Sequence, residues 1–158
     1  MRKLFLLRHA KSSWDDPAMH DFDRPLNARG IRAAKFMGEF MGTHELVPDL
    51  VLSSPSKRTR MTVELLAETL RNEAPIIFDD RVYEASLGDL VAVIDDNENS
   101  SDAMLIVCHN PGIELLIRHL TGSIEPMPTA ALAVLRRTDS AEFNFSLQDV
   151  YRPRELMD

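Results

Sequence analysis

The sequence predicts an α/β layer fold around a mostly parallel central sheet. Short apolar runs of strand length at 4–7, 50–52, 76–78 and 104–107 alternate with stretches of helical apolar spacing. Two of the junctions between them, Ser54-Pro55 and Asn110-Pro111, carry a capping residue followed by proline, a helix-start signal. The chain has 158 residues, the length of one domain.

Each element follows in order. Leu4-Phe5-Leu6-Leu7 has no polar face and suits a strand covered on both sides. The polar stretch 11–24, with Asp15, Asp16, Pro17, Asp21 and Asp23, is expected as a long surface loop. Asn27 is a suitable N-cap for a helix in which Ile31, Ala34, Met37, Phe40 and Met41 recur at helical spacing, ending near Gly42. After the strand at 50–52, Ser54 as N-cap and Pro55 as first helical residue should start a second helix. Met61, Leu65 and Leu66 give it an apolar face as far as Leu70. Ser86 should cap a third helix carrying Leu87, Leu90, Val91 and Ile94, ending in the acidic turn at 95–102. Asn110-Pro111 should open a fourth helix. Segments 130–135 and 142–150 read as two late strands, paired antiparallel through a turn at 138–140.

Composition narrows the function. The chain is 44% hydrophobic and 27% charged, which separates it from disordered sequences. A net charge of −7 disfavours sequence-independent nucleic-acid binding and attachment to an anionic membrane. It leaves room for a local cationic pocket. No apolar run approaches a membrane span, and the stretch 4–7 is too short for the core of a signal peptide. One cysteine, Cys108, excludes an internal disulfide framework and is expected as a buried, unreactive thiol. A single domain over 1–158, monomeric and cytoplasmic, is the expected organisation.

Polar residues collect at three strand-to-helix junctions: Arg8, His9 and Lys11; Ser53, Ser54, Lys57 and Arg58; and His109 with Asn110. Ligands of open parallel sheets bind beyond the carboxyl ends of the strands, so these clusters should share one crevice. Arginine forks, histidines and the positive ends of two helices make that crevice an anion site, best matched to a phosphoryl group. Taken singly, each has a plainer explanation. Arg8-His9 suits a solvated turn, His109 a structural imidazole, and Arg58 a partner of Glu64 or another acid. Their coincidence at one end of the sheet favours the site.

Other catalytic patterns fail. Six positions after Cys108, where a cysteine-phosphatase loop needs arginine, stands Glu114. Phosphate-binding glycine loops, the G-x-S-x-G elbow and H-E-x-x-H are absent. A metal shared by His9 and His109 would sit beside Arg8 and Lys11, an unfavourable place for a cation, so neither metal nor cofactor is expected.

Leu7-Arg8-His9-Ala10-Lys11 resembles the Arg-His-Gly signature of the histidine phosphatase (phosphoglycerate mutase-like) superfamily. Residues 53–62, SSPSKRTRMT, are similar to its second motif, and Val107-Cys108-His109-Asn110-Pro111 to its third. The stretch 24–30, RPLNARG, the pair Tyr83-Glu84, and 127–130, MPTA, resemble the small phosphohistidine phosphatases of the SixA-like branch. The likeness runs in order along nearly the whole chain. It departs at Ala10, where the signature usually has glycine, and it lacks the long insertions that cap the pocket in larger relatives.

This resemblance implies a three-layer, phosphoglycerate mutase-like sandwich with no large cap. It implies that His9 is the nucleophile of a metal-independent phosphatase, forming a covalent phosphohistidine that water hydrolyses. Arg8, Arg58 and His109 would hold the phosphoryl oxygens, and Glu84 would serve as general acid, although Tyr-Glu-Ala equally suits a solvated loop. Lys11, Arg24 and Ser54 are expected as substrate-binding contacts, either at the rim or supporting the site from just behind it. Trp14 is expected as a pocket wall, a partner contact or a local packing anchor. The implied substrate is a phosphorylated protein or peptide, such as a histidine-containing phosphotransfer domain. The alternatives are a small-molecule phosphomonoesterase using the same site, a non-catalytic phosphate-binding module and, less favoured without a closed pocket, a mutase.

Overall fold

In the computed structural model, which describes residues 1–157, six strands form one sheet in the order β3-β2-β4-β1-β5-β6. They are β1 (Lys3–Arg8), β2 (Leu50–Ser53), β3 (Ile76–Phe78), β4 (Ala103–Cys108), β5 (Leu132–Arg137) and β6 (Phe145–Tyr151). The first four run parallel. β5 runs antiparallel to β1, and β6 antiparallel to β5, giving the expected late hairpin. Helices α1 (Ala28–Thr43), α2 (Lys57–Leu70), α3 (Leu87–Asn97) and α4 (Gly112–Thr121) cover the sheet, and a short α5 (Pro153–Leu156) follows β6.

Side chains alternate across a strand, so β1 feeds two cores. Leu4 and Leu6 join Leu90, Val93, Ile113, Leu116 and Ile117 of α3 and α4 on one face. Phe5 and Leu7 join Ala34, Met37, Met41, Val63 and Leu66 of α1 and α2 on the other. All four β1 side chains are fully buried, as the unbroken apolar run requires. Among the described residues, no helix is long and apolar enough to cross a membrane.

Two caps behave as the sequence suggests. The Asn27 side-chain oxygen accepts the Gly30 N–H at 2.8 Å, and Ser86 forms a reciprocal capping box with Asp89. Two helix starts lie further along than expected. Ser54 and Pro55 stay in the loop and α2 begins at Lys57 with Ser56 at the cap position, and the Ser54 hydroxyl is shared between His109 and the Ser56 N–H. α4 begins at Gly112, because the Asn110 amide donates to Glu114 instead of the Asn110 oxygen capping the turn. The late strands also start later, at Leu132 and Phe145. Ala130 occupies a left-handed turn (φ 61°), so the chain becomes extended only beyond it.

The sheet register aligns the site. Arg8 lies opposite Cys108 and Ser53 opposite Val107, so β1, β2 and β4 end at one level. α1 is drawn close to the loop after β1: a Cβ on Gly30 would lie 2.1 Å from the Lys11 carbonyl oxygen. Only glycine lets the helix start approach that backbone. The 11–24 segment is more built than a surface loop, with a 3-10 turn at Asp21–Asp23, a bridge from Ser12 to Leu26, and Ser12 and Arg24 both buried.

Candidate active site

A cavity of about 560 Å³ opens beyond the carboxyl ends of β1, β2 and β4. Arg8, His9, Lys11, Arg24, Arg58, Glu84 and His109 all line it, so one site gathers residues from four separate segments. The His9 and His109 rings stand 5.1 Å apart, centre to centre.

His9 is buried, and its Nδ1 lies 2.7 Å from the Ala10 carbonyl oxygen. A carbonyl can only accept, so Nδ1 carries the proton and Nε2 keeps its lone pair. Burial, together with His109, Arg58 and Arg8 nearby, pushes the His9 pKa down to about 3. The ring is therefore neutral and nucleophilic across the physiological range. Its neighbour Ala10 is fully buried in the α1–α2 core, and its N–H donates to Thr62 Oγ1 at 3.1 Å. Its φ is not in the left-handed region, so this turn does not require glycine.

His109 is fixed in the opposite sense. Arg58 can only donate, and its Nη2 lies 3.4 Å from His109 Nδ1, so that nitrogen accepts. Nε2 then donates to Ser54 Oγ at 2.8 Å. Burial, with Arg58 adding to it, holds the His109 pKa down at about 4. Ser54 is fully buried behind His109 and forms no part of the cavity wall. It orients the imidazole from behind, the supporting place rather than the rim place of the two expected for it.

Arg8 donates through Nη1 to the Met127 carbonyl at 2.9 Å, but its buried Nε has no partner among the described residues. An unmatched buried donor beside a neutral imidazole is what an anion's oxygen would satisfy. Arg58 pairs with Asp21, not Glu64: Nη1 donates to the Asp21 carbonyl at 2.8 Å and Nη2 to Oδ2 at 3.1 Å. Asp21 Oδ2 also accepts from Tyr83 Oη at 2.7 Å, and Oδ1 from Arg24 Nη1 at 3.2 Å. The Tyr83 hydrogen bond is the largest influence holding the Asp21 pKa at about 2, with Arg58 adding to it. Burial and the Asp21 charge push the Tyr83 phenol up to about 12.

Glu84 is exposed on the cavity rim with φ 52°, a left-handed conformation that a glutamate seldom adopts. Lys11 is exposed at the mouth. Arg24 touches the cavity, but its donors are largely spent on Ser13 O, Ser12 Oγ and Asp21, and its guanidinium stacks 3.2 Å from the Trp14 ring centre. It props Trp14 as a wall that is still 68% exposed. Cys108 is buried, and burial pushes its thiol up to about 12, as expected of an unreactive cysteine.

The family model for the histidine phosphatase superfamily (branch 1) matches residues 4–96, well over half of the chain. The chain belongs to this superfamily. A Mycobacterium tuberculosis protein of uncharacterized function is 33% identical over 141 residues, covering 82% of this chain and 86% of the relative. A chloroplastic protein of Arabidopsis thaliana is 31% identical over 144 residues, 85% of this chain and 66% of that protein's length. The crystal structure of SixA from Agrobacterium tumefaciens superposes with a TM-score of 0.87 at 28% identity, covering 96% of this chain and 98% of that one.

For a histidine phosphatase, the sequence reading located the cationic and imidazole centre but missed Asp21, Tyr83 Oη and Thr62 as its supports. Thr62 joins the loop after β1 to α2, accepting from Ala10 N and donating to the Arg58 carbonyl at 2.7 Å. Asp21 had one local signal, an acid three residues before Arg24. Its contact with Arg58 spans 37 residues and has no sequence period.

Proposed function

We propose that this phosphatase hydrolyses phosphohistidine on a protein or peptide through a covalent intermediate on His9. The observation that carries the reading is the His9 tautomer. With the Nδ1 proton spent on the Ala10 carbonyl, the Nε2 lone pair is free beside Arg8, Arg58 and His109. Nε2 attacks phosphorus, a new N–P bond forms, and the bond from phosphorus to the leaving nitrogen breaks. That nitrogen takes a proton from water or from the Glu84 carboxyl. Water then attacks the phosphoryl group on His9, the N–P bond breaks, inorganic phosphate leaves and Nε2 regains its lone pair. Arg8, Arg58 and the cavity's other polar groups stabilise charge on the equatorial oxygens.

A protein-borne substrate is supported by the open mouth, walled by exposed Trp14 and, among the described residues, carrying no inserted cap. A phosphotransfer domain carrying phosphohistidine is the proposed kind of partner, and a monomer in the cytoplasm the proposed setting. The strained, rim-exposed Glu84 favours a second reading, hydrolysis of a small phosphomonoester, whose alkoxide needs a proton donor. A phosphate-binding module remains as the non-enzymatic reading.

The test is phosphate release from a phosphohistidine peptide by chelator-treated protein, with His9→Ala beside it. Release by the wild type alone, with radiolabel trapped on His9 after an acid-free quench, is the expected result. Faster turnover of sugar phosphates would move the assignment to the small-molecule reading. Phosphate binding without turnover of either would make the protein a binding module.

A further inference from the structure

A second cavity, of about 580 Å³, adjoins the active site and shares Arg8, Lys11 and Thr129 with it. Arg29 and Arg32 line it from the start of α1 and Arg154 from α5, adding to Arg8 and Lys11. Among the described residues, no carboxylate lines it, and none of these five cations has a carboxylate within 4.0 Å. Seven cations elsewhere, Lys57 and Arg118 among them, also lack such a partner among the described residues, but this cavity gathers five in a wall without an acid. Arg2, Arg81, Arg137 and Arg152 all have acidic partners, and a third cavity mixes Arg2, Lys3 and Arg136 with Glu45, Asp49 and Asp102.

The cations also sit where folding gains least from them. Arg29 and Arg32, on one face at a spacing of three, crowd the positive end of the α1 dipole, and the first turn of α1 contains no acid. Arg29, Arg32, Arg154 and Lys11 are exposed and come from three separate segments. They line an open groove, not a closed nest around one small dianion. The net charge of −7 disfavours a long nucleic-acid backbone as occupant.

We propose that this groove binds acidic side chains flanking the phosphorylated residue of a polypeptide substrate, so that the enzyme selects phosphorylation sites in acidic surroundings. The inference deepens the protein-phosphatase reading and rests on it for its context. Phosphorus would sit between Arg8, Arg58 and the two histidines, and the neighbouring chain would run over Lys11 toward Arg29 and Arg32.

Two measurements test it. In the first, a fluorescein-labelled peptide with a run of glutamates and no phosphate is titrated into the wild type and into the double variant Arg29→Glu, Arg32→Glu. Both positions are exposed, and glutamate suits a helix start, so the variant should fold. Binding should weaken by about tenfold in the variant and fall with added salt in the wild type. Equal affinity in the two proteins overturns the groove, as does tighter binding of a single-stranded oligonucleotide at physiological salt. In the second, kcat/KM is compared for phosphohistidine peptides with acidic and with neutral flanks. The wild type should prefer the acidic flank by about tenfold, and the double variant should lose that preference. Hydrolysis that ignores the flank overturns the groove and leaves the phosphatase reading intact. Intact phosphopeptides beside Arg29- and Arg32-dependent binding of the acidic peptide support the groove and overturn that reading instead.

Discussion

Asp21 grips Arg58 through both its backbone and its side chain, the carbonyl accepting from Nη1 at 2.8 Å and the carboxylate from Nη2 at 3.1 Å. The same carboxylate takes the Tyr83 hydroxyl and one Arg24 nitrogen. A single residue of the β1–α1 connection thus orients the guanidinium contributed by α2 and ties down two walls of the cavity.

Asp21→Asn should keep the backbone contact and lose the charge. The Asp21 side chain is 48% exposed, so solvent screening leaves a stability cost of only about 0–1 kcal/mol. Arg58 would lose its orientation, and kcat/KM should fall by about tenfold or more. The carboxylate's folded pKa of about 2 lies below its ordinary 3.8. Its contribution is therefore complete above pH 3.8 and disappears as pH falls through about 2. Paired denaturation and kinetic measurements check this, and unchanged kinetics in Asp21→Asn would remove Asp21 from the positioning role.

Buried His9 and half-buried His109 should stay neutral well below the ordinary imidazole range. Proton NMR of the ligand-free protein should show the His9 and His109 ring signals at their neutral positions at pH 5, because their folded pKa values are about 3 and 4. Midpoints near 6.5 would contradict the geometry. The unfolded chain binds more protons between about pH 4 and 6.5, so stability rises with pH across that window and levels off above it. Replacing either ring with glutamine should flatten this slope in urea unfolding curves.

Ala10→Gly should restore the superfamily's usual residue and gain nothing. The Ala10 methyl is fully buried beside Leu7, Ala34 and Val63, and its backbone has no left-handed turn to relieve. Losing the methyl and stiffness should cost about 1 kcal/mol in thermal or urea unfolding. A rise in kcat would instead mean that the methyl crowds the phosphoryl group.

The layers and the centre of the site were legible because both follow local rules. Apolar runs marked the buried strands, and the residues after β1, β2 and β4 meet wherever parallel strands end together. What sequence could not show depended on partners distant along the chain. Ser54 reads as a helix cap until His109, 55 residues away, shares its hydroxyl. Asp21 reads as loop polarity until the 3-10 turn carries it over α2. The charge of the second groove is equally hidden, since Lys11, Arg29 and Arg154 become neighbours only when α5 packs near α1.

Glu84 offers the sharpest separation between the two enzymatic readings. Its left-handed backbone places an exposed carboxyl on the rim, facing the cavity that His9 also lines. An alkoxide leaving group needs a proton as its bond to phosphorus breaks, whereas an imidazole departs with much less help. Glu84→Gln keeps the shape and removes the acid. Turnover of a sugar phosphate should therefore fall by about a hundredfold or more, within the usual range for general acid catalysis. Turnover of a phosphohistidine peptide should fall by less than about tenfold on the same scale. Equal losses on both substrates would mean that Glu84 acts after the leaving group has gone, by activating the water that attacks the phosphoryl group on His9. Stopped-flow measurement of leaving-group appearance beside phosphate release under single-turnover conditions separates those steps, because a defect in dephosphorylation leaves the leaving group's departure fast and slows only the release of phosphate.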